Sequence, residues 1–157
     1  GAGKHRGGNG IEKVYRLLEP GDVSIHDDRH ESQPWGILGG QPGACSEKWI
    51  VRGSNEPEPL PSKIDNVRVE AGDRIIFRTA GGGGWGDPLE RDAKRVRNDV
   101  ARKLMTLENA RDAYGVVVTG KRLELDLRAT TDLRETMKQG RKALELFDFG
   151  ERRTDVS

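Results

Sequence analysis

Five consecutive residues, His26-Asp27-Asp28-Arg29-His30, carry the side chains best suited to metal binding, with two imidazoles and two carboxylates. Zinc and related divalent metals accept such ligands. The surrounding pattern, however, is a strand that ends and runs into a loop, so His26 and Asp28 would share a face only if the strand continued. A polar turn at the edge of a β-hairpin is the favoured interpretation, and no metal site is predicted in this chain.

A cysteine nucleophile is the second chemical possibility, with His5 as its base. Cys45 is the one cysteine of the chain, and no local feature brings it to His5. A lone cysteine without an activating neighbour is typically inert. It also excludes an internal disulfide and a multi-thiolate metal site, which fits a reducing, cytoplasmic location. The catalytic residues stay unassigned.

The third possibility is a glycine loop, Gly81-Gly82-Gly83-Gly84-Trp85-Gly86. Consecutive glycines are favoured where the backbone takes left-handed angles or closely approaches a ligand or another chain. The spacing Gly81-x-Gly83-x-x-Gly86 formally matches the dinucleotide fingerprint. The strands before it are typical of antiparallel hairpins rather than of a βαβ unit, and the Gly-Lys-Ser/Thr ending of a P-loop is missing. We therefore predict a loop that faces an anion, a substrate or another backbone, without nucleotide binding by this chain alone.

The residues after the glycines predict how that loop is held. Trp85 is expected to anchor it by burial. Asp87 is a helix cap, Pro88 suits the first helical position, and Glu90 completes a capping box. The positive end of the following helix would favour a bound carboxylate, carbonate or phosphate beside the loop's N–H groups.

These motifs require an α+β fold, with an antiparallel β-rich N-terminal body followed by a small helical region with one β-hairpin. The predicted boundaries are a glycine-rich lead-in over 1–10, a β-rich body with glycine loops over 11–91, a helical appendage with hairpin over 92–149 and a tail over 150–157. The lead-in is interpreted as a flexible arm and the tail as disordered or partner-bound.

Within these regions the residue patterns predict individual elements. Residues 11–26 are typical of a β-hairpin around Glu19-Pro20-Gly21-Asp22, and strands are expected near 48–52, 67–69 and 74–79. Helices are expected within 92–113 and 131–146, the third beginning at Thr130 or Thr131. Asp92 and Thr106 are the predicted N-caps and Gly115 a left-handed C-cap, and a hairpin is expected to join residues 116–118 to 123–127.

The composition limits stability and partners. The 157 residues include 34% charged and 33% hydrophobic residues and 21 glycines, so the core is thin, and we expect the isolated chain to be poorly stable and to sit in a hetero-oligomer. The 27 basic and 26 acidic residues leave a net charge of +1, which gives no reason to expect nucleic acid or an anionic membrane as partner. No apolar run reaches transmembrane length and no signal-peptide core is visible. The sequence begins at Gly1 without Met, which we interpret as processing, a fragment or trimming.

Several motifs together resemble the C-terminal portion of the hydantoinase B/oxoprolinase family. They cover almost the whole chain in order: Gly1 to Gly10, Pro34-Trp35-Gly36 with Gly39 to Gly43, Leu60 to Lys63, Gly81 to Asp92, and Asp112 to Val117. Members of that family are subunits, or halves of fused chains, of ATP-dependent enzymes that open cyclic amides such as hydantoins and 5-oxoproline. The related acetone and acetophenone carboxylases attach bicarbonate-derived carbon to a ketone.

The resemblance also implies how the chemistry is divided. ATP and Mg are expected on a hydantoinase A-like subunit, and a divalent metal and much of the catalytic pocket on the remainder of the longer B-type subunit. Asp28-Arg29, rather than His26 and His30, matches the family's motif. With His5 and Arg6, this pair is a candidate for polar cavity or interface residues.

Three functions remain open at this point. The first is a small subunit or C-terminal domain of an ATP-dependent enzyme that hydrolyses a cyclic amide such as a hydantoin, 5-oxoproline or a lactam. The second is part of an ATP-dependent ketone carboxylase. The third is a purely structural assembly module of such a complex.

Overall fold

The fold is α+β, as predicted, in a computed structural model that describes residues 1–153. The strands are β1 (Glu12–Arg16), β2 (Gly21–His26), β3 (Gly36–Ile37), β4 (Glu47–Val51), β5 (Glu58–Pro59), β6 (Lys63–Val69), β7 (Arg74–Arg78), β8 (Val117–Thr119), β9 (Glu124–Asp126) and β10 (Phe147–Asp148). The helices are α1 (Ala93–Ala101), α2 (Leu107–Asp112) and α3 (Leu127–Gly140), and a 3-10 turn spans Pro88–Glu90. Among these described residues, no helix is long and apolar enough to cross a membrane.

A four-stranded antiparallel sheet in the order β1-β7-β4-β5 and the two-stranded β2-β6 sheet form the N-terminal body. Alternating apolar residues of these strands meet in one core, which buries Ile25, Ile50, Leu60, Val69 and Ile75. Ile50 and Ile75 lie opposite each other across β4 and β7, as the period of two requires.

The predicted hairpin over residues 11–26 is wrong. β1 pairs with β7, and β2 pairs with β6 in the other sheet. Tyr15 lies opposite Ile75 and packs edge-on against Phe77 with ring centroids 5.9 Å apart, while Ile25 lies opposite Ile64. The Pro-Gly turn is present in the sequence, but the apolar side chains of each strand find better partners far along the chain. A turn signal alone does not separate a hairpin from a crossover between sheets.

A second core holds the helices together, with Val96, Val100, Ala110, Tyr114 and Val116 buried. The predicted caps are confirmed: the side chains of Asp92 and Thr106 accept hydrogen bonds from Arg95 N and Asn109 N, at 2.9 and 3.0 Å. Gly115 has the left-handed φ of 61°, and β8 and β9 form the predicted hairpin.

The predicted start of the third helix is wrong by about one turn. Asp126 caps α3 by accepting from Ala129 N at 2.9 Å, so the helix begins at Leu127 rather than at Thr130 or Thr131. It ends at Gly140, short of the expected limit at residue 146. Aspartate and threonine are both favoured N-cap residues, and here the N-cap position is occupied by the aspartate, which comes earlier in the chain.

The lead-in is not a flexible arm, because Ala2 is buried within the helical core and Gly3 is also buried. The first part of the predicted tail also contacts the body: Glu151 N donates to Gln33 Oε1 at 2.9 Å and Arg152 pairs with Glu31 at 3.1 Å. Residues 154–157 of that tail lie outside the described residues.

A glycine-rich junction as the candidate functional site

Three segments that are distant in sequence meet at one place, and we name this place the glycine junction: residues 1–10, 34–44 and 80–86. Gly81 N donates to Ala44 O at 3.1 Å, Gly82 N to Gly8 O at 2.9 Å and Gly84 N to Gln41 O at 2.8 Å. The glycine loops that the sequence marked separately are therefore partners of one another.

Close backbone contact explains why these positions are glycines. A Cβ on Gly83 would overlap the carbonyl oxygen of Trp35, and a Cβ on Gly84 would overlap that of Ala2. In the 81–86 segment only Gly86 has a positive φ, of 72°. Gly83 and Gly84 are thus required by the approach of other backbone segments and not by left-handed angles.

Five of the six N–H groups of residues 81–86 donate to carbonyl groups of the same chain, so of the predicted partners (an anion, a substrate or another backbone) it is another backbone that these groups face. Besides the three glycines above, Trp85 N donates to His5 O and Gly86 N to Ile37 O, both at 2.9 Å. The expected helix is also missing at this point. Asp87 does act as a cap, with Leu89 N donating to it at 2.9 Å, but only a single 3-10 turn follows. One turn carries little of the dipole that a long helix would offer an anion.

Trp85 is not the buried anchor that the sequence predicted, because it is 46% exposed. Its backbone forms an antiparallel bridge with His5, and the two rings lie with centroids 5.4 Å apart at an interplanar angle of 56°. His5 is exposed as well. The junction therefore presents an indole face and an imidazole side by side, on a backbone fixed by hydrogen bonds in both directions.

Arg6, the neighbouring candidate, points into a buried ion-pair cluster. Its Nε lies 3.2 Å from Oδ2 of Asp99, and Arg91 Nη2 donates to the same oxygen at 2.9 Å. Arg91 Nη1 also donates to Lys4 O at 3.0 Å, which ties the lead-in to α1. Arg6 is committed to structure, although with Tyr114 it lines an open pocket of about 250 Å³. Burial raises the pKa of Tyr114 above its ordinary value.

Asp28 and Arg29 reach the junction from another side, through Trp35. The Arg29 guanidinium lies 4.6 Å from the centroid of the Trp35 ring, an arrangement that gains cation–π energy. Asp28 is exposed, and its carbonyl oxygen accepts from the Ser46 hydroxyl at 2.9 Å. The structure therefore separates the four polar candidates. His5 lies beside Trp85, Arg6 points into the protein, and Asp28 and Arg29 lie near Trp35.

The histidines of the 26–30 cluster do not converge. His26 pairs with Asp65 at 2.9 Å on the surface, whereas His30 is buried with Nδ1 3.2 Å from Ser46 O. Within residues 1–153, no group of three or more histidine, cysteine, aspartate or glutamate side chains is arranged to hold a metal ion. The segment is a polar loop after β2, but it does not lie at the edge of the expected hairpin, because β2 pairs with β6.

A buried charge lies beneath that turn, and sequence reasoning missed it. Lys48 is 2% exposed and forms an ion pair with Asp27, whose carboxylate also accepts from the Ser46 hydroxyl at 2.6 Å. Burial of Asp27 opposes its ionisation, but the ammonium and the hydroxyl outweigh that effect and hold the pKa of Asp27 below its ordinary value. Lys48 alternates with Trp49 along β4 and therefore points to the same side as the buried Ile50. This period of two is the one sequence feature that could have predicted a buried lysine.

A second missed pair fastens the C-terminal segment to the junction. Both terminal nitrogens of Arg141 donate to the carboxylate of Asp87 at 2.7 Å. Burial of Asp87 opposes ionisation, and the Arg141 guanidinium together with the Leu89 N–H reverses this, so the pKa of Asp87 is lowered. The two residues are 54 positions apart, and no local pattern connects them.

An antiparallel β body whose glycine-rich segments pack backbone to backbone is the class of structure that these observations define. A sequence model described as Hydantoinase B/oxoprolinase matches residues 1–88, which include all three segments of the junction. The chain belongs to the hydantoinase B/oxoprolinase family.

Individual relatives extend the similarity into the helical region. The chain is 37% identical over 134 residues to a putative B-type subunit of a D-/L-hydantoinase from Pseudomonas sp. strain NS671, and the match covers 85% of this chain and 22% of that protein. The crystal structure of ATP-dependent caprolactamase from Pseudomonas jessenii matches 85% of this chain and 24% of its own chain, with a TM-score of 0.69 and 28% identity. A nucleotide-free acetone carboxylase structure shares the fold, with a TM-score of 0.71 over 92% of this chain at 22% identity. This chain therefore spans about a quarter of the length of these three proteins.

Proposed function

We propose that this chain is part of the B-type subunit of an ATP-dependent enzyme that opens a cyclic amide by hydrolysis. The observation that carries the proposal is the 37% identity, over 85% of the chain, to a protein named as a putative B-type hydantoinase subunit. Sequence identity to the alpha subunit of an acetone carboxylase from Xanthobacter autotrophicus is lower, at 26% over 75% of the chain, so a ketone carboxylase is the second candidate.

The chemistry would be shared between polypeptides. A hydantoinase A-like subunit would bind ATP with Mg, and the remainder of the B-type polypeptide would hold a divalent metal and most of the catalytic groups. The contribution of the present chain would be the glycine junction, as a rigid support for the exposed His5 and Trp85 rings. An imidazole can donate or accept a proton near neutral pH, and an indole offers an apolar face for a planar amide ring.

A purely structural role is supported by one specific observation. Five of the six N–H groups of residues 81–86 donate to carbonyl groups of the same chain, so these hydrogen bonds hold the loop without a ligand. This assembly role and the enzymatic one differ in whether the exposed rings matter for turnover after the complex has formed.

The test compares two exposed histidines in the complete B-type polypeptide assembled with its A-type subunit. We expect His5→Ala to lower the ATP-dependent hydrolysis of hydantoin, 5-oxoproline or caprolactam by about tenfold or more, since a positioned proton-transfer group contributes that much or more. His26→Ala is the matched control, because His26 is 63% exposed and its ion-pair partner, Asp65, is equally exposed.

Three results are decisive. Loss of turnover in the His5 variant alone, with assembly intact, supports the proposal. Full turnover in both variants, with assembly intact, supports the purely structural role instead. Carboxylation of acetone or acetophenone without hydrolysis of any cyclic amide establishes the second candidate instead.

A further inference from the structure

Six large apolar side chains are exposed on two segments that the β10-β3 pairing joins, and we name them the aromatic patch: Trp35, Leu38, Leu144, Leu146, Phe147 and Phe149. Each of them is between 40% and 65% exposed. The Phe149 ring centroid lies 6.0 Å from that of Phe147 and 6.2 Å from that of Trp35. Scattered apolar residues are ordinary on a protein surface, but a contiguous patch of this kind marks an interaction site.

The segment that supplies four of these side chains adds nothing to the interior. Every residue from Arg141 to Phe147 is exposed, and so is Phe149. Only 33% of the residues of the chain are hydrophobic, yet four large apolar side chains within six positions lie outside both cores. Burial of such a side chain against another surface contributes about 1.5–3 kcal/mol.

The backbone of this segment is nevertheless fixed. Leu38 N donates to Leu146 O at 2.8 Å and Gly39 N to Glu145 O at 2.9 Å. The β10-β3 pairing continues this attachment. Asp87 holds the start of the segment through Arg141, and Gln33 holds its end through Glu151. Because the backbone is fixed and the apolar side chains point outward, these side chains form a surface of defined shape and are not buried against the rest of the chain.

We propose that the aromatic patch is the docking surface for the remainder of the same B-type polypeptide. This inference rests on the proposed function, in which the chain is one part of a longer subunit. The matching caprolactamase chain contains this fold as 24% of a single polypeptide. A covalently joined segment has a high effective concentration at the patch, so it competes well against a separate subunit or a second copy.

The composition of the patch fits this occupant. Three of the chain's eight Phe, Trp and Tyr side chains lie in it, and the Arg29 guanidinium lies over the Trp35 ring at 4.6 Å. Permanent interfaces are more apolar and poorer in charge than transient ones. The patch adjoins the junction, because Trp35 and Leu38 belong to its 34–44 segment and Phe147 pairs with Ile37, which forms a parallel bridge with Trp85. Docking here would place the rest of the subunit next to the exposed rings of His5 and Trp85.

Photo-cross-linking in the complete polypeptide, assembled with its A-type subunit, tests the proposal. The photoreactive residue is introduced as Phe149→p-benzoylphenylalanine, with Leu127→p-benzoylphenylalanine as the matched control, since the two positions are 65% and 62% exposed. Mixing isotopically light and heavy polypeptides before assembly separates cross-links within one copy from those between copies. We expect position 149 to give cross-links within one copy, to peptides outside these 157 residues, several-fold more often than position 127.

Cross-links from position 149 to the A-type subunit or to a second copy overturn the proposal, and so does a yield no higher than that of the control. Hydroxyl-radical footprinting of the unsubstituted polypeptide removes the dependence on a folded variant. There, Phe147 and Phe149 should be oxidised several-fold more slowly, relative to their intrinsic reactivity, than the exposed Leu127. Equal relative rates contradict docking. Neither readout needs catalytic turnover, so an enzyme without cyclic-amide activity would refute the proposed function and leave this test interpretable.

Discussion

Substitution of Gly83 by alanine tests most directly whether the glycine junction is a backbone-packed support. The added Cβ would overlap Trp35 O and lie 3.1 Å from Pro34 O. Neither segment is free to shift, because Gly43 N donates to Pro34 O at 2.8 Å and Ile37 N donates to Gly84 O at 3.0 Å. Relief of the overlap requires the loss of hydrogen bonds of this kind.

The magnitude follows from those contacts. Overpacking of a rigid site costs about 1–3 kcal/mol, and each broken backbone hydrogen bond adds about 1 kcal/mol. We therefore expect Gly83→Ala to lower the free energy of opening of the junction by about 3 kcal/mol, which is roughly a 100-fold change in the local equilibrium. Gly81→Ala is the matched control. Its Cβ would have no neighbour nearer than 3.5 Å, and Gly81 does not have a positive φ. This substitution should be neutral or stabilise by up to about 1 kcal/mol through the unfolded chain.

Hydrogen–deuterium exchange in the complete polypeptide measures the difference at peptides that contain Gly84, Gly86 and Gln41. Protection in the Gly83 variant should fall by about two orders of magnitude under conditions in which exchange reports the opening equilibrium, while the Gly81 variant keeps the protection of the parent protein. Equal protection in both variants would refute the conclusion that backbone contact is the reason for these glycines.

Two further expectations concern the ion pairs that the sequence did not reveal. Asp27→Asn leaves the Lys48 ammonium buried without its counter-ion and should destabilise by about 3–5 kcal/mol, whereas Lys48→Met should cost much less because Asp27, at 34% exposure of its side chain, is reached by water. Thermal unfolding of both single variants measures this asymmetry, and equal losses would contradict it. Asp87 has a lowered pKa, so its stabilising pair with Arg141 is fully present above the ordinary aspartate value of 3.8 and is lost as the pH falls through the lower folded value. Amide hydrogen exchange of residues 141–150 should accelerate in that acid range in the parent protein. In Arg141→Gln it should already be fast at pH 7. A parent protein whose protection is unchanged across the acid range would show that Asp87 does not hold this segment.

Features that depend on a few neighbouring residues could be predicted from the sequence. The caps at Asp92 and Thr106 and the β8-β9 hairpin are of this kind, because a side-chain oxygen or a Gly turn acts within three or four positions. The β-rich body also followed from alternating apolar residues. Local competition explains the misplaced start of α3, where Asp126 stands at the end of a strand and caps the helix before either threonine is reached.

Pairings between distant segments could not be predicted in the same way. The choice of β7 as partner of β1, and of Asp87 as partner of Arg141, depends on which surfaces the whole chain brings together. The exposure of Trp85 could not be predicted either, because it also depends on contacts between distant segments. A tryptophan after four glycines suggests an anchor, but backbone hydrogen bonds already hold this loop from both sides, and the indole is left free to face outward.

The glycines themselves show why three separate motifs have one explanation. Considered alone, residues 1–10 suggested a flexible arm, and residues 81–86 suggested a loop that faces an anion, a substrate or another backbone, since glycine permits each of these. Two such segments in contact exclude Cβ atoms from each other, so the glycines of one segment account for those of the next: Gly7 lies against Gly82, and Gly40 lies against Gly84. Because these hydrogen bonds are made within the chain, the junction is ordered before any ligand or partner arrives. Under the proposed function, a support of that kind would serve chemistry by holding exposed side chains in place, and the side chains that it holds outward are those of His5 and Trp85.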